Sequence, residues 1–164
     1  MKNLTKNLLL TLTALLFISF SASAQKGSDI IRQASCYNET LKLQADSLKG
    51  VLNKQGFIVV KEATMTMESE YEMPVVVPLA EGSWYHIAFI GDMSSKLYEV
   101  RMYDYDEKQL VYQKKYAEGF EGGNIINYSY IPKFSEYHMI KPVQVNKKQK
   151  TNLCGYFIIF KKVK

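Results

Sequence analysis

Three carboxylates fall within four residues at Asp104, Asp106 and Glu107, in the stretch YDYDE that joins the apolar runs LYEVRM and QLVY. Carboxylate oxygens set this closely are the ligands that a hard cation such as calcium takes. An EF-hand-type loop opening at Asp104 requires glycine at its sixth position and glutamate at its twelfth. Gln109 and Lys115 stand there instead, so that motif is excluded. Two readings of Asp104 and Asp106 stay open. One is a looser calcium site completed by a backbone carbonyl. The other, which the residues favour, is a hairpin tip in which the Asp side chains bond nearby backbone amides.

The remaining residues with chemical potential are few. His86 and His138 are the only histidines; each falls on an expected strand, and sharing a zinc ion would require a carboxylate as well. A dyad of Cys36 with either histidine loses its nucleophile if that cysteine is in a disulfide. Glu68 and Glu70 share a strand face at a spacing that mimics a glycosidase pair, although strand alternation places them there without catalysis. The chain has no G-x-S-x-G, phosphate-binding glycine loop, H-E-x-x-H or C-x-x-C. We therefore expect no enzyme. The enzymatic alternative is a small polysaccharide or cell-wall hydrolase with Asp104 and Asp106 as its acids.

Binding is better supplied than catalysis. Twelve tyrosines accompany the single tryptophan, and Tyr and Trp combine a large contact area with a polar tip, which suits flat surfaces for sugars or protein chains. The candidate ligand-binding residues are Trp84 with His86, and Tyr103 with Tyr105. Alternation sets Trp84 and His86 opposite Tyr85, Ile87 and Phe89, but Ala88 and Ile90 share the Trp84 side, so the solvent face stays open. The competing explanation is that tyrosine simply suits strands and half-buried rims.

The elements that must position these residues follow from periodicity. Residues 1–24 pair Lys2 and Lys6 with an apolar run from Leu8 to Phe20 and end in Ala22-Ser23-Ala24, the layout of a signal peptide cleaved before Gln25. That run is short for a membrane span, and no cysteine follows the small-residue motif directly. The expectation is an exported protein, periplasmic or extracellular, with neither a lipid anchor nor membrane insertion once the leader is gone. The leader resembles those of exported Bacteroidota proteins.

Residues 25–164 suit one domain. From Ser28 to Lys54 apolar residues recur every three or four positions, predicting an amphipathic helix with Ser28 or Asp29 as N-cap and Gly56 as its stop. From there to residue 163 the period is two. A strand with an acidic solvent face is expected from Ala63 to Met73. Further strands are expected at Val75–Leu79, Trp84–Ile90, Leu97–Tyr103, Leu110–Tyr116, Ile125–Ile131, Tyr137–Val145 and Leu153–Val163. Seven or eight short strands at this spacing predict a mainly β fold, an antiparallel β-sandwich of jelly-roll type. Trp84–Ile90 and Leu153–Phe160 are apolar on both faces, as central strands are when a helix covers the sheet.

Cys36 and Cys154 either pair, since an oxidising compartment permits it, or stand as buried thiols. Charge is uneven: acids predominate from Glu62 to Glu121, whereas lysines dominate from Lys133 to Lys164 with Glu136 the single acid. Such a distribution suits an anionic partner, or simply solvates edges and turns. Arg32 and Arg101 are the only arginines. Scarce guanidinium groups and export both argue against nucleic acid.

The stretches AEGSWYHIAFIG (residues 80–91) and KLYEVRMYDYDEKQLVY (residues 96–112) resemble bacterial pre-peptidase C-terminal domains, where a glycine turn enters an aromatic strand and a hairpin follows. The resemblance covers about 35 residues. It implies a small β-sandwich of the kind attached to secreted enzymes, serving secretion, localisation or substrate binding, in some cases with calcium. Two departures stand out: no attached enzyme is expected, and Glu107-Lys108 occupies the place where a turn glycine is common. The function expected is a non-catalytic binding or interaction module whose partner is a polysaccharide or another exported protein. The alternative is a calcium-assisted carbohydrate-binding module. No cofactor is expected unless calcium serves.

Overall fold

The computed structural model describes residues 34–119 and 122–163. The expected leader and residues 28–33 of the expected helix lie outside the described residues. Helix α1 spans Glu39–Lys54, so the helix starts well after the expected caps at Ser28 and Asp29. Asn38 is its N-cap: in an extended conformation, its Oδ1 accepts the Leu41 N–H at 3.2 Å and satisfies one of the orphan donors of the first turn. Residues 34–38 are not helical, because the Ala34 carbonyl accepts the Thr66 N–H at 2.7 Å. Cys36, expected inside the helix, therefore lies in the segment before it. Gly50 has open space where a Cβ would stand, and the helix runs through it. Gly56, at φ +78°, turns the chain into the first strand.

Eight strands follow: β1 Phe57–Met67, β2 Val75–Leu79, β3 Tyr85–Ile90, β4 Leu97–Tyr103, β5 Gln109–Tyr116, β6 Ile125–Tyr130, β7 Glu136–Val145 and β8 Leu153–Lys162. They form two four-stranded sheets, ordered β1-β8-β3-β6 and β2-β7-β4-β5, with every neighbour antiparallel. Only β4 and β5 adjoin in both sequence and sheet. Every other connection crosses between sheets, which is the jelly-roll arrangement, and the expected sandwich holds. One strand is shorter than its alternation predicts. β1 stops at Met67 rather than reaching Met73, because Glu70 takes φ 74° and the N–H groups of Ser69 and Glu70 bond the Lys150 and Gln144 carbonyls. Here the chain crosses to the second sheet while the polar-apolar rhythm continues.

Two apolar layers result. Between the sheets lie the inward residues of both, among them Ile87, Phe89, Val100, Met102, Ile140 and Phe157. Between α1 and the first sheet lie Leu41, Ala45 and Leu52 against Ala88, Ile158 and Phe160. β3 and β8 are thus buried on both faces, which explains their unbroken apolar runs. A fully buried side chain of the Leu, Ile or Phe class contributes about 1.5–3 kcal/mol. Two polar ties seat the helix. Lys49 Nζ lies 2.6 Å from the Glu62 carboxylate and 3.3 Å from the Tyr156 hydroxyl. Cys36 and Cys154 are joined in a disulfide with Cα atoms 5.7 Å apart, bonding the segment before α1 to β8.

The end of the sandwich between β3 and β4 is closed by a polar network. The Tyr98 hydroxyl donates to the Asp92 and Ser95 carbonyls, at 2.7 and 2.9 Å. Buried Gln144 accepts the Asp92 N–H at 2.8 Å, and the Asp92 carboxylate accepts the Cys154 N–H at 3.1 Å. Gly91 allows this closeness, since a Cβ there would stand 2.3 Å from the Tyr98 ring.

Replacing both cysteines by serine is expected to lower stability by about 4–5 kcal/mol on the loop-entropy model, measured by denaturant unfolding. Gly91→Ala is expected to cost about 1–3 kcal/mol by overpacking against Tyr98. Burial, with the Asp92 charge, pushes the Tyr98 phenol from 10 up to about 12. The folded chain thus holds that proton more tightly than the unfolded chain. The resulting stability is full below pH 10 and is lost as the pH rises toward 12, which phenolate absorbance recorded alongside unfolding will show.

Candidate binding surface

Among the described residues the helix covers one outer face of the sandwich and the other carries no covering element. On the open face, formed by β2-β7-β4-β5, alternation points every second residue to solvent. On β5 these are Tyr112, Lys114 and Tyr116; on β4 they are Leu97, Glu99, Arg101 and Tyr103; on β7 they include Tyr137, Met139, Lys141 and Val145. The register aligns them in rows: Tyr103 stands opposite Met139, Arg101 between Lys141 and Tyr112, and Leu97 between Val145 and Tyr116.

Tyr137, Tyr103 and Tyr112 therefore step diagonally, each one strand and one row from the last, roughly 8 Å apart given ~5 Å between strands and ~7 Å per two residues. Tyr116 continues the line along β5. Tyr137, Tyr112 and Tyr116 are 58%, 47% and 59% exposed.

A charged lattice fixes the side chains between the rings. Glu99, only 8% exposed, accepts from Arg101 at 2.7 Å and lies 3.6 Å from Lys114. Arg101 also donates to Glu72 at 2.7 Å, and Glu72 meets Lys141 at 2.8 Å. The Lys141 hydrogen bond, more than any other contact, holds the Glu72 carboxyl below its ordinary value. Each cation also lies near a ring: Lys141 is 5.1 Å from Tyr103, Arg101 5.8 Å from Tyr112 and Lys114 5.6 Å from Tyr116.

The residues singled out from sequence separate onto different surfaces. Trp84 and His86 belong to the other sheet. Trp84, 45% exposed, stacks edge-on against Phe57 at 5.5 Å and lies under Lys162. His86 is half-buried beside Phe160, its Nδ1 3.2 Å from the Ser129 hydroxyl, and burial lowers its pKa. Tyr103 lies on the open face. Tyr105 projects from the β4–β5 turn.

The YDYDE stretch is that turn. Asp104 Oδ1 accepts the Lys108 N–H at 2.8 Å, and the Asp104 carbonyl accepts the Glu107 N–H at 3.2 Å. Glu107 takes φ 60°, the conformation glycine would otherwise supply. Among the described residues no three His, Cys, Asp or Glu side chains group to hold a metal.

His138 is fully buried from the second sheet, bonded to the Tyr130 hydroxyl at 3.1 Å. It is thus on a different layer from His86. Cys36 is consumed in the disulfide, and Glu70 lies in the turn after β1, so neither the thiol dyad nor the strand-borne glycosidase pair forms. Sequence reasoning missed Tyr112, Tyr116 and Tyr137 together with the Glu72–Arg101–Glu99 lattice. The available signal was YQKKY (residues 112–116), where Tyr-x-Lys-x-Tyr shows a strand face.

No protein-family profile matches the chain, and no curated protein matches it. Solved structures similar to it include the carbohydrate-binding module CBM4, at 14% identity and TM-score 0.40 over 65% of this chain and 79% of that one. Another is TmCBM61 in complex with β-1,4-galactotriose, at 14% and 0.35 over 67% and 85%. A third is the K3 adhesin domain of Lys-gingipain from Porphyromonas gingivalis, at 9% and 0.35 over 62% and 74%. Likeness at this level carries no ligand or activity across to this chain.

Glu99→Ala is expected to lower stability by about 1–3 kcal/mol, because it strips a largely buried acceptor from Arg101, whereas Lys114→Ala leaves the midpoint nearly unchanged. Because Glu72 is held below its ordinary value of 4.5, its contribution is full above that pH and is lost as the pH falls through the depressed value. Glu72→Gln should flatten that acid limb of a stability-against-pH curve.

Proposed function

We propose that this protein is an exported, non-catalytic binding module whose ligand is an extended polysaccharide lying across the open face of β2-β7-β4-β5. The observation that carries this is the diagonal of Tyr137, Tyr103, Tyr112 and Tyr116 on the sheet face that no helix among the described residues covers. Tyrosine rings are rigid and lose little conformational entropy on binding, and they offer a flat apolar face with a polar tip. That matches a sugar ring, with its C–H faces and hydroxyl rim. The charged side chains between the rings supply directed donors and acceptors for those hydroxyls.

The shape of the face favours a polymer over a small molecule, since small ligands take concave pockets that enclose them. It also favours a sugar over an extended peptide. A peptide strand gains most of its affinity from backbone hydrogen bonds at a sheet edge, and a sheet face offers none. Catalysis is not supported on this face. Glu72 and Glu99 are both held by cations, and Glu72 is pushed down in pKa, opposite to what a general acid needs. Export is supported by the leader-like N-terminus and by a disulfide, which an oxidising compartment maintains. No helix among the described residues is long and apolar enough to cross a membrane.

Titration of the mature protein against a panel of soluble polysaccharides tests this. Tyr112→Ala and Tyr116→Ala are each expected to weaken binding roughly tenfold, or ~1.4 kcal/mol, with Trp84→Ala binding as the wild type does. Loss of binding in Trp84→Ala with the two tyrosine variants unaffected would move the ligand to the other sheet and refute the proposal.

A further inference from the structure

Resting on the sheet-face reading above, we infer that the polysaccharide is acidic and that its anionic groups are read at the Tyr116 end of the tyrosine line, by Lys96 and Lys147. At that end the face is no longer flat. A groove of about 380 Å³ opens beside Tyr116, floored by Leu97, Ala117 and Val145 and flanked by Lys96 and Lys147.

The Lys96 backbone is fixed on both sides, its N–H donating to the Val145 carbonyl at 2.8 Å and its own carbonyl accepting from Ala117 at 3.0 Å. Its side chain is 65% exposed, and among the described residues its one ion pair is with Glu118, 3.8 Å away and itself 89% exposed. An ion pair that open to water has little hold on either partner, so Lys96 is available to an incoming anion. Lys147 makes no ion pair among the described residues, whereas Lys114, 5.6 Å from the Tyr116 ring, is shared with Glu99. Further up the face Glu72 and Glu99 already engage Arg101, Lys141 and Lys114. At the groove Lys96 and Lys147 face one lining carboxylate among the described residues, Glu118.

This also gives a use to the lysine-rich C-terminal third of the chain. The loop between β7 and β8, which carries Lys147, Lys148 and Lys150, emerges beside the groove through Val145 and Lys147. Carboxylates and sulfates share the chemistry required, a compact anion on a sugar ring. An ammonium group suits this as a point charge that does not demand a fixed fork geometry.

The test compares polymers of one backbone with and without charge: polygalacturonate against its methyl ester for carboxylates, and dextran sulfate against dextran for sulfates. Isothermal titration of the mature protein is expected to show the charged member of at least one pair bound about tenfold tighter, a preference that collapses in high salt through screening. Lys96→Ala/Lys147→Ala should remove the preference while leaving affinity for the uncharged member unchanged. Lys54→Ala/Lys133→Ala, two exposed lysines away from the groove, should keep it.

Equal binding of charged and uncharged members overturns the inference, as does a preference that both double variants lose alike, which would mean general attraction to a basic protein. Binding of neutral polymers alone refutes only the acidic preference, whereas binding of no polysaccharide at all refutes the sheet-face reading as well.

Discussion

The docking of α1 on the β1-β8-β3-β6 sheet is the constraint on which the rest of the molecule depends. A β-sandwich has two outer faces, and β3 and β8 are too apolar on both sides to leave theirs in water. The helix supplies the missing layer with Leu41, Ala45 and Leu52. Burial alone does not decide whether a short helix stays docked, since an isolated sixteen-residue helix is marginal in water. The Cys36–Cys154 bond and the Lys49–Glu62–Tyr156 contacts hold it in place. The two faces then have different fates, one closed by the helix and one open.

What the open face displays follows from that division. A sheet face in water needs polar residues, and here the requirement is met by a lattice of alternating charges between rings rather than by scattered lysines. The lattice orients Arg101 through Glu99 and Glu72 and sets each cation near a tyrosine. A ligand therefore meets side chains that are already ordered, so less conformational entropy is lost on binding. The edge strand β5 gains as well. Its Lys115, half-buried and bonded to the Ile125 carbonyl, is an inward charge that discourages pairing with another chain, which leaves the face of the sheet, rather than its edge, as the surface suited to recognition.

Much of the fold was legible in the sequence because burial leaves a periodic trace. The double-sided apolar runs of β3 and β8 called for a cover, and the helical stripe before Gly56 was that cover. YDYDE read as a turn because Asp bonds nearby amides wherever the chain reverses. Other features were illegible for physical reasons. Asn38 is no stronger a cap by type than Ser28 or Asp29, and only the Ala34–Thr66 bond shows why the helix waits. The alternation from Ala63 to Met73 continues through a change of sheet that depends on the backbone of Glu70. The binding face was hardest to see, because a diagonal of tyrosines on β7, β4 and β5 exists only through strand register. Trp84, the single tryptophan, sits on the helix-covered side.

The central claim is that the helix-free sheet face is the ligand surface. Its most direct test is a map of backbone amide NMR shifts in the mature protein as an acidic oligosaccharide is added. The account predicts perturbations on β4, β5 and β7, strongest near Tyr112 and Tyr116, with α1, β3 and β8 silent. Perturbations centred on α1 and Trp84, with β5 unmoved, would contradict it.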